Sequence, residues 1–533
     1  MKAATSLVDD VLTAWWDAHP VDASFAGEIR YDDRLPAADL DAPRRERECW
    51  LRYHERLTAE SPTDDVGLRL DRRLLCAALA HAASDSVERA RFANPAWYTG
   101  EAAFSLIALL LPSDTPRDAS CLIPRLAALP GFLDEGIAQL RGRSIPAPWI
   151  DRARAETVAL DALLAAGLSL HPWAAQLTQA PVAPVHAALA RFRAALVDVP
   201  DADPRCGEEH LRFVMTAVHG LDETPAGLER RAQHAYDAAR EELDRQAREC
   251  DPSRSWREQL SALAEIGPAP GSPDAVIATY RAWHERTLRD AATLVTPAAD
   301  YGLRFAPIPP WARAVADALY FLFYRSPAAR FPGAGSTYWV SSLDLPPKER
   351  RRAHNTAAVK MIHAVHHGSI GHHTQNARAR AAKSRVARIA GTDGASALAF
   401  LGAGTMVEGW ACYAEDLMAE VPEFYTPAEE LQRAYCTLRN IACCLADVRL
   451  HSRIWTLEEM QRFYRDEVGF APARIVSETT RNSMFPGSRL LYWTGTEQIA
   501  ALRRRSPRSA REVHDELLAF GSVPVAWIAS EFA

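Results

Sequence analysis

The 533-residue chain lacks several features that would have fixed its class at once. No apolar run approaches the ~18 residues needed to cross a bilayer, so no membrane-spanning helix is expected. Positive charge is not in excess. With 61 Lys and Arg against 68 Asp and Glu, a formal charge of -7 and a pI near 6.2, no overall basic field exists to hold phosphate backbones or an anionic membrane surface. Neither nucleic acid nor membrane is therefore expected as a partner. The nine cysteines, scattered from Cys49 to Cys444, include no C-x-x-C pair, which argues against a disulfide framework and against a thiolate zinc site. The adjacent Cys443 and Cys444 read as helix-packing residues. Asp9 and Asp10 stand where a signal peptide would need an unbroken apolar stretch, so a cytoplasmic location is the expectation.

Strand-type alternation is also scarce. Its best case is Ser336-Thr337-Tyr338-Trp339-Val340-Ser341, behind the turn signal Pro332-Gly333, which predicts one short strand or hairpin. No fixed-period repeat or long low-complexity linker is present, and Gly267-Pro268-Ala269-Pro270-Gly271 reads as a helix connection.

Helix signals, by contrast, recur from end to end. Thr426-Pro427-Ala428-Glu429, Thr456-Leu457-Glu458-Glu459 and Ser509-Ala510-Arg511-Glu512 read as capping boxes, and Thr224-Pro225 and Ser272-Pro273 as N-caps followed by a first-turn proline. Leu189, Phe192 and Leu196 have the spacing of a buried helical stripe. With 48% hydrophobic residues the chain can bury a large core. The expectation is an all-α, multi-helix single domain over residues 1–533, with two lobes around a deep central cleft allowed and one short strand or hairpin near the active site.

The densest chemistry lies at residues 363–373, where His363, His366, His367, His372 and His373 place five of the 17 histidines within eleven positions. Neutral imidazole suits Zn, Fe, Ni and Cu, and two imidazoles need only one acid from elsewhere to make a three-ligand site with an open position. The candidate acid is Glu408, set among small and apolar residues where a carboxylate needs a partner. His366 and His372 are six apart, so at 100° per residue they leave a straight helix on different faces. They converge only if the helix bends or ends, and Gly368 and Gly371 supply the backbone freedom. A straight helix would instead pair His366 with His373, or His363 with His367, and for any one of these residues a core role competes with ligation. The basic run Arg378, Arg380, Lys383, Arg385 and Arg388 reads first as a solvated helix face and second as a lip that steers an anionic substrate.

His366-His367-Gly368-Ser369-Ile370-Gly371-His372-His373-Thr374-Gln375 resembles the His-Glu-x-x-Pro-Gly-His-His-x-Gln motif of the bacterial domain-of-unknown-function family 885, helical proteins related in character to the zinc carboxypeptidases of the Taq type. Glu408-Gly409-Trp410-Ala411-Cys412-Tyr413-Ala414-Glu415 resembles its Glu-Gly-Trp-Ala-x-Tyr-x-Glu motif. Asp447, His451, Arg481, Pro486-Gly487 and Tyr492-Trp493-Thr494-Gly495 resemble its C-terminal third, and Tyr338 its strand ahead of the metal helix. The similarity spans nearly the whole chain and is most specific from about Pro332 onward.

By that resemblance His366, His372 and Glu408 would hold one divalent metal, zinc first, with iron or manganese also compatible. Tyr492 would act as a hydrogen-bond donor and Arg481 as a carboxylate or oxyanion partner. His363, His373, Gln375, Tyr338, Glu415, Asp447 and His451 would stand behind the ligands or face the substrate. The implied activity is hydrolysis of a peptide or amide in a short peptide or small molecule by metal-activated water. A homodimer is compatible with this picture.

One departure changes the expected chemistry. The glutamate that serves the family as general base is replaced here by His367, and the proline of the motif by Ile370. His367 is then a catalytic candidate as a substitute base, or an addition to the metal shell. The expectation is a metallopeptidase-like hydrolase with an altered base. The alternatives are a repurposed non-hydrolytic metalloenzyme of small-metabolite biosynthesis (lyase, cyclase or non-haem iron type) and an inactive binding protein.

Overall fold

The computed structural model describes every residue except 1, 86–90, 268–271, 299–300, 314, 317–323, 332, 334, 342, 391–402 and 533. Pro332 of the turn signal and residues 268–271 of the Pro/Gly stretch lie outside that set. The described residues are predominantly helical, with three short strands, β1 (Gly302–Pro307), β2 (Tyr324–Arg325) and β3 (Gly335–Val340). None of the helices is long and apolar enough to cross a membrane.

The chain forms two compact units that alternate along the sequence. One comprises Met1–Pro204, Ile308–Ala334 and Lys383–Leu401, the other Arg205–Pro307, Gly335–Ala382 and Gly402–Ala533. In the first unit, helix α1 (Pro95–Leu110) is buried on every face. Its Trp97 and Tyr98 pack edge-on or tilted against Phe132 of α2 (Leu122–Leu140), and the predicted stripe of Leu189, Phe192 and Leu196 is fully buried. A Cβ at Gly136 would come within 2.7 Å of the Tyr98 ring, so α2 approaches α1 by the width of a missing side chain.

In the second unit, α3 (Pro225–Cys250) lays Leu228, Ala232, Tyr236, Leu243 and Ala247 against Leu431, Leu438, Ile441, Leu445 and Val448 of α6 (Pro427–His451). Between these in sequence come α4 (Pro273–Asp290) and α5 (Gly404–Leu417); α7 (Pro472–Met484) and α8 (Leu491–Arg505) follow. The expected starts are built as read. Thr426, Thr456 and Ser509 form reciprocal capping boxes, and Thr224 and Ser272 accept the backbone N–H three residues on. Cys443 and Cys444 are buried free thiols in the α6 core.

The expected strand is β3; it falls where predicted and pairs in parallel with β1, with Phe305 opposite Tyr338. A parallel pair requires a long crossover rather than a turn. β1 escaped notice because its six residues begin with Gly302 and end with Pro307, and only Phe305 is buried.

Candidate metal centre

The centre sits in the second unit and is built on an interrupted helix. Val359–His367 winds with wide π-type turns and stops at Gly368 (φ -95°, ψ -147°); Ser369 follows with φ 23°, and Gly371 leaves the helical region (φ -77°, ψ -126°) before the chain resumes as helix at Thr374. A Cβ at Gly371 would lie 1.9 Å from the His366 carbonyl oxygen, so the break tolerates glycine alone. The freed backbone groups find partners. The Ser369 N–H donates to His284 Nδ1 on α4 (3.1 Å), Thr374 Oγ1 donates to the Ser369 carbonyl (2.6 Å), and Trp410 Nε1 donates to the Ile370 carbonyl (2.7 Å).

The break solves the spacing problem. His366 and His372 bring their ring centroids to 4.9 Å with planes at 90°, and Glu408 Oε2 lies 3.8 Å from His366 Nε2 and 3.7 Å from His372 Nε2. Glu408 accepts no hydrogen bond from any described residue. Behind this group, His366 Nδ1 meets Glu415 Oε1 at 2.7 Å, the carboxylate–imidazole arrangement that fixes the tautomer and orientation of a metal-binding histidine.

The segment Glu408–Glu415 can now be assigned side chain by side chain. Glu408 and Glu415, seven apart on α5, address opposite nitrogens of His366. Gly409 meets Gly495 of α8 so closely that a Cβ at either would strike the other's backbone at 2.8 Å or less. Trp410 holds the broken turn, and Tyr413 is hydrogen-bonded to His514 Nε2 at 3.1 Å.

Electrostatics favour the ligating forms. Burial pushes the His372 imidazole down to about 4 against the pull of Glu408, and burial together with the neighbouring imidazoles pushes His367 well below its ordinary value, with the Ile362 carbonyl acting weakly in the other direction. Burial would raise the Glu408 carboxyl, but His372, His366, Arg481 and Arg489 together hold it below its usual value. A neutral His372 ring beside an ionised Glu408 is the pairing of protonation states a divalent cation requires. The atoms fit such an ion in a further respect. His367 Nδ1 is buried without a partner in hydrogen-bonding geometry, a condition that buried polar atoms rarely tolerate.

Comparison with known proteins can now be set beside this geometry. The family described as "Bacterial protein of unknown function (DUF885)" matches residues 20–531. The chain belongs to the DUF885 family. Its fold is similar to that of a candidate lipoprotein of unknown function from Shewanella oneidensis (17% identity, TM-score 0.75, 99% of each chain). It is also similar to a candidate lipoprotein from Colwellia psychrerythraea (15% identity, TM-score 0.71, 99% of this chain and 98% of that one). No curated protein matches the chain.

Among the remaining predicted residues of this DUF885 chain, Tyr338 is hydrogen-bonded to His363 Nδ1 at 2.5 Å, and the His363 ring lies parallel to His367 with centroids 6.1 Å apart. Tyr492 and Arg481 lie close enough to Glu408 to act on it electrostatically; Arg481 is exposed and makes no ion pair with a described residue.

Four predicted residues turn elsewhere. His373 Nε2 bonds the Tyr301 carbonyl (2.6 Å) and Gln375 donates to Ser522 (3.2 Å). Asp447 accepts from the Gly487 and Arg489 N–H groups (3.2 and 2.8 Å), and His451 contacts the Asn482 carbonyl (2.8 Å). These four hold loops and helix ends. Two members of the basic run are committed to partners as well: Arg378 to the Thr296 carbonyl and Asp515, Arg385 to Asp9.

Sequence reasoning missed His284, a lone histidine on α4 with no neighbouring signal. It also missed the buried pair Glu478–Arg489 (2.5 Å), whose guanidinium covers the Tyr492 ring at 4.6 Å.

Proposed function

We propose that this protein is a metal-dependent hydrolase-like enzyme of the metallopeptidase type, acting on a peptide or amide-containing small molecule, with an altered general base. The observation that carries this reading is the convergence of His366, His372 and Glu408 across a helix break that only glycine permits, with Glu415 orienting His366 from behind.

His366, His372 and Glu408 would hold the cation, zinc first, and the cation when bound supplies a Lewis acid for a carbonyl oxygen. The chain's own groups supply the rest. Arg481, exposed and without an ion pair to any described residue, would hold a carboxylate of the substrate. The Tyr492 hydroxyl can donate to a developing oxyanion, its ring steadied beneath Arg489. His367 takes the sequence position of the missing glutamate.

A second reading, a non-hydrolytic metalloenzyme, is favoured by that same substitution. Elemental analysis together with turnover of a dipeptide and N-acyl amino acid panel separates the two. About one zinc per chain with slow amide hydrolysis, raised by His367→Glu, supports the hydrolase. Iron with no hydrolysis by either variant overturns it in favour of the second reading, and absence of any bound metal overturns both.

A further inference from the structure

The triad of His366, His372 and Glu408 leaves out the imidazole nearest to it. His367 lies 4.8 Å from His366 and 5.7 Å from His372 between ring centroids, so with the 4.9 Å between His366 and His372 the three rings form a nearly equilateral triangle. One nitrogen from each comes within 4.8 Å of the other two. In a tetrahedral complex with metal–nitrogen bonds of about 2.0–2.1 Å, ligand atoms stand roughly 3.4 Å apart and the ring centres roughly 5 Å apart. The triangle is close to that shape before any ion is placed.

We propose that His367 is a third imidazole ligand, so that a late first-row divalent cation is held by His366, His367, His372 and Glu408. This rests on the metal-site reading above and removes His367 from the role of base.

Three observations support the assignment. Adjacent residues on an α-helix point 100° apart, but the wider π turn ending at His367 reduces that angle and the chain then leaves the helix at Gly368, so neighbours in sequence can face one point. His367 makes no hydrogen bond of normal geometry to a described residue, although the Ile362 carbonyl lies close enough to act on its ring, so the ring is not committed to another partner. The ring is held in place from outside the site. It lies beside His363 (6.1 Å between centroids) and Tyr338 (5.9 Å), and His363 is in turn held by the Tyr338 hydroxyl at 2.5 Å and the Tyr280 ring at 5.2 Å. Such support is what a ligand needs and a mobile proton shuttle does not.

The assignment also explains the loss of the glutamate as an exchange. A carboxylate base beside the ion is replaced by a nitrogen donor to it, which shifts the site toward the borderline-soft metals that prefer imidazole.

The test uses the full-length chain, stripped with a chelator and titrated with cobalt(II) followed by its visible absorption, and with zinc by competition. His367→Ala is expected to weaken both at least 100-fold while the circular dichroism spectrum is retained. X-ray absorption of the cobalt-loaded wild type, which needs no variant, is expected to fit three imidazoles. Affinity within threefold of wild type in His367→Ala, or a fit to two imidazoles, overturns the proposal and leaves the three-ligand site standing. A wild-type chain that takes up neither ion overturns the proposal and the metal-site reading together.

Discussion

The two units differ in how they hold buried charge. In the first, Arg117 and Arg125 each rest on several of the chain's own oxygens. Arg117 reaches Asp32 through two nitrogens (2.7 and 2.9 Å) and two backbone carbonyls besides, and Arg125 rests on the carbonyls of Ser105 and Tyr31 (2.6 and 3.0 Å). In the second unit, Lys360–Glu429 and Glu478–Arg489 are paired with one another, but the groups of the centre are not. Glu408 accepts no hydrogen bond, His367 Nδ1 makes none of normal geometry and Arg481 forms no ion pair with any described residue, although Arg481 and Arg489 act on Glu408 from a distance. Satisfied burial holds a fold; donors and acceptors that converge without satisfying one another point to something the chain does not supply.

The strongest way to break that contrast is at the two extremes. Gly371→Ala forces a Cβ to 1.9 Å from the His366 carbonyl oxygen, so the break must open and the imidazoles part. We expect loss of essentially all cobalt affinity and a fall in stability of about 2–4 kcal/mol, read by calorimetry of the apo chain. Retained affinity would show that the break is not what brings His366 and His372 together. In the first unit, Arg117→Ala strands the Asp32 carboxylate, and chemical denaturation should register a loss of about 3–5 kcal/mol with cobalt affinity unchanged. A cobalt affinity that fell alongside would deny the division of labour.

The sequence made the helices legible because caps and stripes are local: the boxes at Thr426, Thr456 and Ser509 depend on residues three apart. It made the triad legible because five histidines and two glycines crowd one stretch, and the glycine requirement followed from the six-residue spacing. What it hid were partners distant in sequence. Nothing near His284 announces that it meets Ser369, and the partnership of Glu478 with Arg489 exists only once α7 and the turn before α8 are folded. His373, Gln375, Asp447 and His451 were drawn toward the centre by their place in motifs, yet each is spent on backbone or on a neighbouring hydroxyl. A motif preserves whatever the fold needs as well as whatever the chemistry needs.

His284 offers a test by pH rather than by substitution. Burial depresses its imidazole to about 4 from the ordinary 6.5, and its Nδ1 must stay unprotonated to receive the Ser369 N–H. Because the folded value lies below the unfolded one, the stability it contributes is complete above about pH 6.5 and is lost as pH falls toward 4; the shift corresponds to about 3 kcal/mol. Hydrogen-exchange protection of the amides at 366–372 in the apo chain, corrected for the intrinsic pH dependence of exchange, should fall over that window in wild type and change less in His284→Asn. Equal dependence in both would detach His284 from the break. A smaller effect is expected from Glu415→Gln, which keeps an acceptor for His366 Nδ1 but removes its charge. Cation affinity should fall about 10–100-fold with the fold intact. An unchanged affinity would make Glu415 a packing partner alone.

The smallest effect sets the baseline for the glycines. Gly131 lies within α2 of the first unit, exposed, and a Cβ there would meet nothing within 4 Å. The only cost of keeping glycine at such a position is backbone entropy, so Gly131→Ala is expected to stabilise the chain by about 0.5–1 kcal/mol, with cobalt affinity unaltered. The same substitution would thus carry opposite signs in the two units, positive where glycine is incidental and negative where it holds the break open. If calorimetry instead found both variants destabilised alike, alanine would be disturbing these helices generally. Gly371 would then lose its standing as the residue on which the geometry of the centre turns.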